Sequence, residues 1–132
     1  MATILIVDDN DTLRGFLRRI VEKAGHRPVV ACNGREAIEH VEREPVDLVI
    51  SDIFMPETDG LELLRDLKKR RPGLHVIAVS GGGEYGDMDI LQAARLCGAF
   101  RIFTKPFPIE EMISAIREAV GGGAPSPNPE AS

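Results

Sequence analysis

Two cysteines among 132 residues are too few for a disulfide scaffold. Cys32 and Cys97 both sit among apolar neighbours, which reads as reduced, structural thiols and sets the expectation of a cytoplasmic location. His26, His40 and His75 are scattered without metal-ligand spacing, which argues against a zinc site. No apolar run reaches the length of a bilayer span, and Met1 leads almost directly into a strand pattern with no basic or apolar leader, so no membrane association is expected. Basic residues are also outnumbered, 16 Lys and Arg against 21 Asp and Glu. A formal net charge of -5 argues against a nucleic-acid surface, as does the lack of a helix-turn-helix or basic segment after residue 120. The one basic cluster, residues 68–71, ends a helix pattern, where cations complement the macrodipole. There are no internal repeats.

What the chain does have is 43% hydrophobic residues over the length of one domain, enough for a real core. Strand and helix patterns alternate five times, which predicts a parallel sheet covered by helices on both faces. Apolar runs place strands near 3–7, 28–32, 46–51, 74–80 and 100–104. Leu13, Phe16, Leu17, Ile20 and Val21 mark the first helix, with Gly25 as the left-handed residue that ends it. The second opens at Asn33 with Glu36 three residues on, close to a capping box, and Ala37, Ile38 and Val41 form its buried stripe. Leu61, Leu64 and Leu67 mark the third helix, stopped by Pro72-Gly73. Ile90, Leu91 and Ala94 mark the fourth, and Ile109, Met112, Ile113 and Ile116 the fifth. Residues 1–120 are thus the folded domain. Residues 121–132 hold three glycines and three prolines with almost no apolar side chain, and read as a disordered tail at which the chain ends.

The chemistry gathers where the strands end. Asp8 and Asp9 close Ile4-Leu5-Ile6-Val7, and Asp52 closes Leu48-Val49-Ile50-Ser51. The carboxyl ends of parallel strands are where open α/β sheets build their sites. Converging carboxylates repel one another unless a cation sits among them, and their oxygens suit Mg²⁺. Two later strands end at Ser80 and at Lys105, the latter followed by Pro106.

This ordered set, together with Met55-Pro56, Asp59-Gly60 and Gly98-Ala99, resembles the receiver domain of two-component response regulators, in its single-domain, chemotaxis-regulator-like form, over residues 1 to about 120. The resemblance implies a doubly wound, flavodoxin-like α/β fold with five parallel strands in the order 2-1-3-4-5. It implies a phosphoacceptor switch, with self-phosphorylation and self-dephosphorylation as its only chemistry. Asp52 matches the acceptor. Asp9, Asp52 and the backbone carbonyl of Phe54 match the direct Mg²⁺ ligands, and Asp8 the ligand acting through bound water. Lys105 and Ser80 match the groups that hold the phosphoryl oxygens, with the Gly81 N–H alongside, and Pro106 matches a position preceded by a cis bond. The implied partners are a histidine kinase or phosphotransfer protein and an output target met by the fourth helix, last strand and fifth helix. A monomer is expected.

Ile102 departs from the family, which usually has an aromatic switch residue three positions before the lysine. Strand alternation puts Phe103 on the opposite face from Ile102 and Phe100 on the same face. The segment after Ser80 is also longer than usual. Its Gly81-Gly82-Gly83-Glu84-Tyr85-Gly86 reads as a mobile loop rather than a phosphate cradle, since it lacks the lysine and helix start of a P-loop. The expectation is that residues 81–87 carry the conformational change, with Tyr85 as a candidate partner contact. Phe54 is bulky for its position. Two other classes compete. Asp9-Asn10-Asp11 is an Asp-x-Asp motif of the haloacid dehalogenase type of phosphohydrolase, although Leu13 stands where that motif carries Thr or Val. A phosphorylation-independent interaction module is the third reading.

Overall fold

The structure, a computed structural model, describes residues 1–55, 58–80 and 87–121. Its first half runs β1 (Thr3–Val7), α1 (Asp11–Lys23), β2 (Arg27–Ala31), α2 (Gly34–Arg43) and β3 (Leu48–Asp52). A short antiparallel hairpin follows, β4 (Phe54–Met55) with β5 (Thr58–Asp59), and then α3 (Gly60–Arg70), β6 (His75–Ser80), α4 (Asp87–Leu96), β7 (Arg101–Thr104) and α5 (Ile109–Gly121). The large sheet has the order β2-β1-β3-β6-β7 with every pairing parallel, which is 2-1-3-4-5 when its own five strands are counted.

Period-two alternation divides the core into two layers. Ile4, Ile6, Leu48, Ile50, Ile77 and Val79 pack with Leu17, Ile20 and Val21 of α1 and Met112 and Ile116 of α5. Leu5, Val7, Val49, Val76 and Ala78 face the other way, against Ala37 and Val41 of α2 and Leu63, Leu64 and Leu67 of α3. Each fully buried Leu or Ile contributes about 1.5–3 kcal/mol relative to exposure, so the three central strands anchor everything at their ends. The order of connections reverses between β1 and β3. The crevice beyond their carboxyl ends is therefore the place such a sheet offers for a site.

The signals read at Gly25 and Asn33 act as expected at the helix ends, and Asn10 adds a cap that was not expected. The Asn10 side chain accepts from the Leu13 N–H to cap α1, and Gly25, with φ of 90°, follows its C-terminus. Asn33 caps α2 by accepting from the Glu36 N–H at 2.9 Å, while Glu36 reaches back to accept from the Cys32 N–H at 2.9 Å. That bond holds the Glu36 carboxyl below the ordinary carboxylate range, and the interaction with Glu36 pushes the Cys32 thiol up, away from reactive thiolate.

The differences from expectation have local causes. β3 begins two residues late and runs through Asp52, because Asp47 is used first to bind Thr3, with the Asp47 N–H donating to the Thr3 carbonyl and its carboxylate accepting from the Thr3 N–H. Phe100 does not share the Ile102 face. β7 starts only at Arg101, so alternation does not extend back to Phe100, whose ring packs on His75 at 4.4 Å and joins the same layer as Phe103. The basic cluster does more than face a dipole. Lys68 Nζ donates to the Pro72 and Leu74 carbonyls at 3.2 and 3.0 Å, Arg70 pairs with Asp66 and Glu42, and Arg71 donates to the Val41 carbonyl, fastening α3 to α2. The hairpin β4–β5 is unanticipated, and α5 takes in Gly121. Pro56, residues 81–86 with Gly81 and Tyr85, the side chains of Ile90 and Leu91, and residues 122–132 of the expected tail lie outside the described residues. Among those described, no helix is long and apolar enough to cross a membrane.

Candidate phosphoacceptor site

β1 and β3 are paired through Val7↔Ser51, so the residues that follow each pair emerge side by side. Asp8, Asp9 and Asp52 converge there, each offering a carboxylate oxygen within 4.8 Å of the others. Their environments differ. Asp8 is 1% exposed and Asp52 6%, whereas Asp9 is exposed. Asp8 Oδ1 accepts from the Asn10 N–H at 2.9 Å, and its Oδ2 is buried with no hydrogen-bond partner among the described residues.

Lys105 enters from the neighbouring end of β7. Its N–H donates to the Ser80 carbonyl at 2.9 Å, which continues the β6–β7 ladder past Ser80↔Thr104. Its Nζ lies 3.3 Å from Asp52 Oδ2 and 3.5 Å from Asp8 Oδ2, with the side chain 17% exposed. The Lys105–Pro106 bond is cis. One ammonium thus serves two buried carboxylates. Ser80 is fully buried, and its Oγ has no hydrogen-bond partner among the described residues. A buried hydroxyl without a partner costs about 1–3 kcal/mol, so it marks a position that a ligand oxygen would satisfy.

The structure therefore brings together Asp8, Asp9, Asp52 and Lys105, sets Ser80 at the carboxyl end of β6 next to that of β3, and places the Phe54 backbone two residues past Asp52 at the start of the hairpin. Asp11, the second acid of Asp-x-Asp, is the first residue of α1, pairs with Arg14, and is not part of the carboxylate cluster. Ser51 and Arg14 had no sequence signal that separated them from ordinary polar residues, whereas Gly60 was marked by Asp59-Gly60 but not for the contact it makes. Ser51 Oγ donates to the Asp52 carbonyl at 3.1 Å, Arg14 donates to the Asp8 carbonyl at 2.6 Å, and Gly60 sits directly on the Ile53 backbone. Asn10 was findable, since a cap-forming residue follows the acid pair just before a helical stripe.

The acidic cluster suits a hard divalent cation. Three carboxylates, two of them buried and Asp9 open to solvent, form an all-oxygen donor set of the kind Mg²⁺ prefers, and the exposed Asp9 side lets the ion keep water ligands.

Comparison with known proteins gives a consistent result. The response regulator receiver domain family matches residues 4–117. Sporulation initiation phosphotransferase F of Bacillus subtilis is 36% identical over 115 residues, covering 87% of this chain and 90% of that protein. The DNA-binding transcriptional regulator NtrC of Escherichia coli is 35% identical over 117 residues, 89% of this chain but only 24% of NtrC. Among solved structures, a receiver domain protein from Clostridium thermocellum superposes with a TM-score of 0.83 at 31% identity, covering 91% of this chain and 94% of that one.

Proposed function

Because the chain belongs to the response regulator receiver domain family, whose members are phosphoacceptor switches of two-component signalling, we propose that Asp52 is its acceptor and that Asp8, Asp9, Ser80 and Lys105 complete the site. The observation that carries this reading is the placement of Lys105 Nζ 3.3 Å from Asp52 Oδ2 and 3.5 Å from Asp8 Oδ2, within a cluster of three carboxylates at the carboxyl ends of the strands, with the buried Ser80 hydroxyl at the adjoining end of β6.

A carboxylate oxygen of Asp52 attacks phosphorus in line. The P–O or P–N bond to the donor breaks, the donor keeps that electron pair, and a mixed anhydride remains on Asp52. Asp9 and Asp52, with the Phe54 carbonyl, would hold Mg²⁺ directly and Asp8 through water. When bound, the ion neutralises charge on the carboxylates and the phosphoryl oxygens. Lys105 is already beside the oxygen that gains the phosphoryl group, so a small shift lets it pair with a phosphoryl oxygen as a point charge. Ser80 Oγ donates to another. The donor class is a histidine kinase or phosphotransfer protein, and the setting is cytoplasmic.

Labelling with a small phosphodonor tests the reading. A Mg²⁺-dependent, hydroxylamine-sensitive adduct on Asp52 is expected. Rapid turnover through Asp9 would instead indicate a hydrolase, and no adduct an interaction module.

The metal assignment makes a second expectation. Asp8 already spends one oxygen on the Asn10 N–H and its other faces Lys105, whereas Asp9 is open to solvent. Asp9→Ala should therefore raise the dissociation constant for Mg²⁺ strongly and Asp8→Ala less so, as followed by amide chemical shifts. Equal effects would refute the division into direct and water-mediated ligands.

For output, Ile102 is part-buried against the α2–α4 side of the sheet, and an isoleucine cannot exchange a ring between buried and exposed positions. We place the change in residues 81–87 and the partner surface on α4, β7 and α5. Backbone amide exchange with and without beryllofluoride should differ across 81–97. Changes confined to the acid pair would overturn this route.

A further inference from the structure

The turn that carries the acid pair is missing a backbone bond, and a side chain replaces it. In the β1–β2 register the Asp8 N–H donates to the Ala31 carbonyl at 3.1 Å, and the next ladder bond would bring the residue 33 amide to the Asp8 carbonyl. Asn33 has instead turned away to cap α2, and no backbone donor among the described residues reaches Asp8 O. Arg14, one turn into α1, fills the gap. Its NH1 donates to the Asp8 carbonyl at 2.6 Å while NH2 pairs with Asp11, and the side chain is only 18% exposed.

We propose that Arg14 is a positioning residue for the metal site: its guanidinium fork, braced by Asp11, fixes the Asp8–Asp9 peptide so that the Asp9 carboxylate meets those of Asp8 and Asp52. The proposal rests on the reading of that cluster as the Mg²⁺ site. The remaining restraints on the turn are Asp8 Oδ1 on the Asn10 N–H and Asn10 Oδ1 on the Leu13 N–H. Both lie downstream of Asp9 or fix the Asp8 side chain, so the carbonyl that defines the Asp8–Asp9 peptide plane is held by Arg14 alone among the described contacts. Arg suits this task and Lys does not, because a planar fork serves two acceptors in set directions while an ammonium is a point charge on a flexible stem.

The sign of the effect separates positioning from charge. Removing a cation that sits on the Asp8 carbonyl, at the turn carrying the acid pair, would by Coulomb attraction alone tighten Mg²⁺ binding. Loss of positioning weakens it, and partners of metal ligands typically affect affinity by about 10- to 100-fold.

Mg²⁺ titration of the parent, Arg14→Ala and Arg14→Lys, well below their melting temperatures and followed by amide shifts, tests the proposal. Binding weaker by about ten-fold in Arg14→Ala, and still weakened in the charge-preserving Arg14→Lys, is expected. Metal-free amide exchange gives an independent arm, with the Asn10 amide losing protection in both variants while the β3 amides keep theirs. Parent-like affinity in both variants, or tighter binding in Arg14→Ala with a normal Arg14→Lys, would overturn the positioning role. A parent that binds no Mg²⁺ would count against the metal site itself, and the exchange arm would then decide whether Arg14 orders the turn.

Discussion

Asp52→Asn is expected to reduce labelling by a small phosphodonor to background while leaving a folded protein no less stable than the parent. The first half follows from chemistry, since an amide cannot attack phosphorus to give a stable acyl phosphate. The second follows from the electrostatics of the pocket. Asp52 and Asp8 are both buried, converge with Asp9, and share the Lys105 ammonium. Neutralising Asp52 removes repulsion from the cluster, and Lys105 keeps Asp8 Oδ2 at 3.5 Å as its counter-ion, so no charge is stranded. The strand itself is secure, because Asp52 pairs with Val79 through backbone and Ser51 Oγ holds its carbonyl. Undiminished labelling would remove Asp52 from its role. A large fall in melting temperature without Mg²⁺ would contradict the view that the cluster is strained by its own charge.

Gly60→Ala is expected to be the most damaging single-methyl change near the site. A Cβ on Gly60 would stand 2.3 Å from the Ile53 carbonyl oxygen and 2.5 Å from its Cα, both backbone atoms that no rotamer change can move aside. Ile53 is itself fixed, 6% exposed, with its N–H donating to the Val79 carbonyl at 2.9 Å. Either α3 backs away from the sheet or the chain after Asp52 shifts. Forcing atoms into such a contact costs about 1–3 kcal/mol, and a shift of the chain moves the Phe54 carbonyl as well. Thermal melting should show the loss, and Mg²⁺ affinity should fall with it. A melting temperature within a degree of the parent would mean that the contact relaxes cheaply. Gly98 makes the contrast: despite its φ of 100°, an added Cβ there meets the flexible Lys68 side chain, at 3.3 Å, rather than backbone.

The sequence alone was enough to read the sheet, its helices and the polar residues that stand at the carboxyl ends of its strands, because those features are written in short-range patterns. Alternating apolar runs gave five strands, the caps at Asn33 and Gly25 gave helix ends, and acids at two strand ends with a serine and a lysine at two others gave the pocket. Parallel strands joined by crossovers have their carboxyl ends on one edge, so residues distant in sequence were bound to meet. What only the tertiary structure decided concerns contacts whose partners carry no pattern. The turn of Phe100 away from the Ile102 face depends on where β7 starts, which its pairing with β6 sets. The sharing of Lys105 between Asp8 and Asp52 depends on three strand ends at once. The use of Arg14 as a substitute ladder donor depends on β2 ending one residue too soon, and the need for glycine at 60 on the closeness of α3 to Ile53. Each arises from the distance between elements rather than from the preference of any one of them, and that distance is set by packing across the whole core.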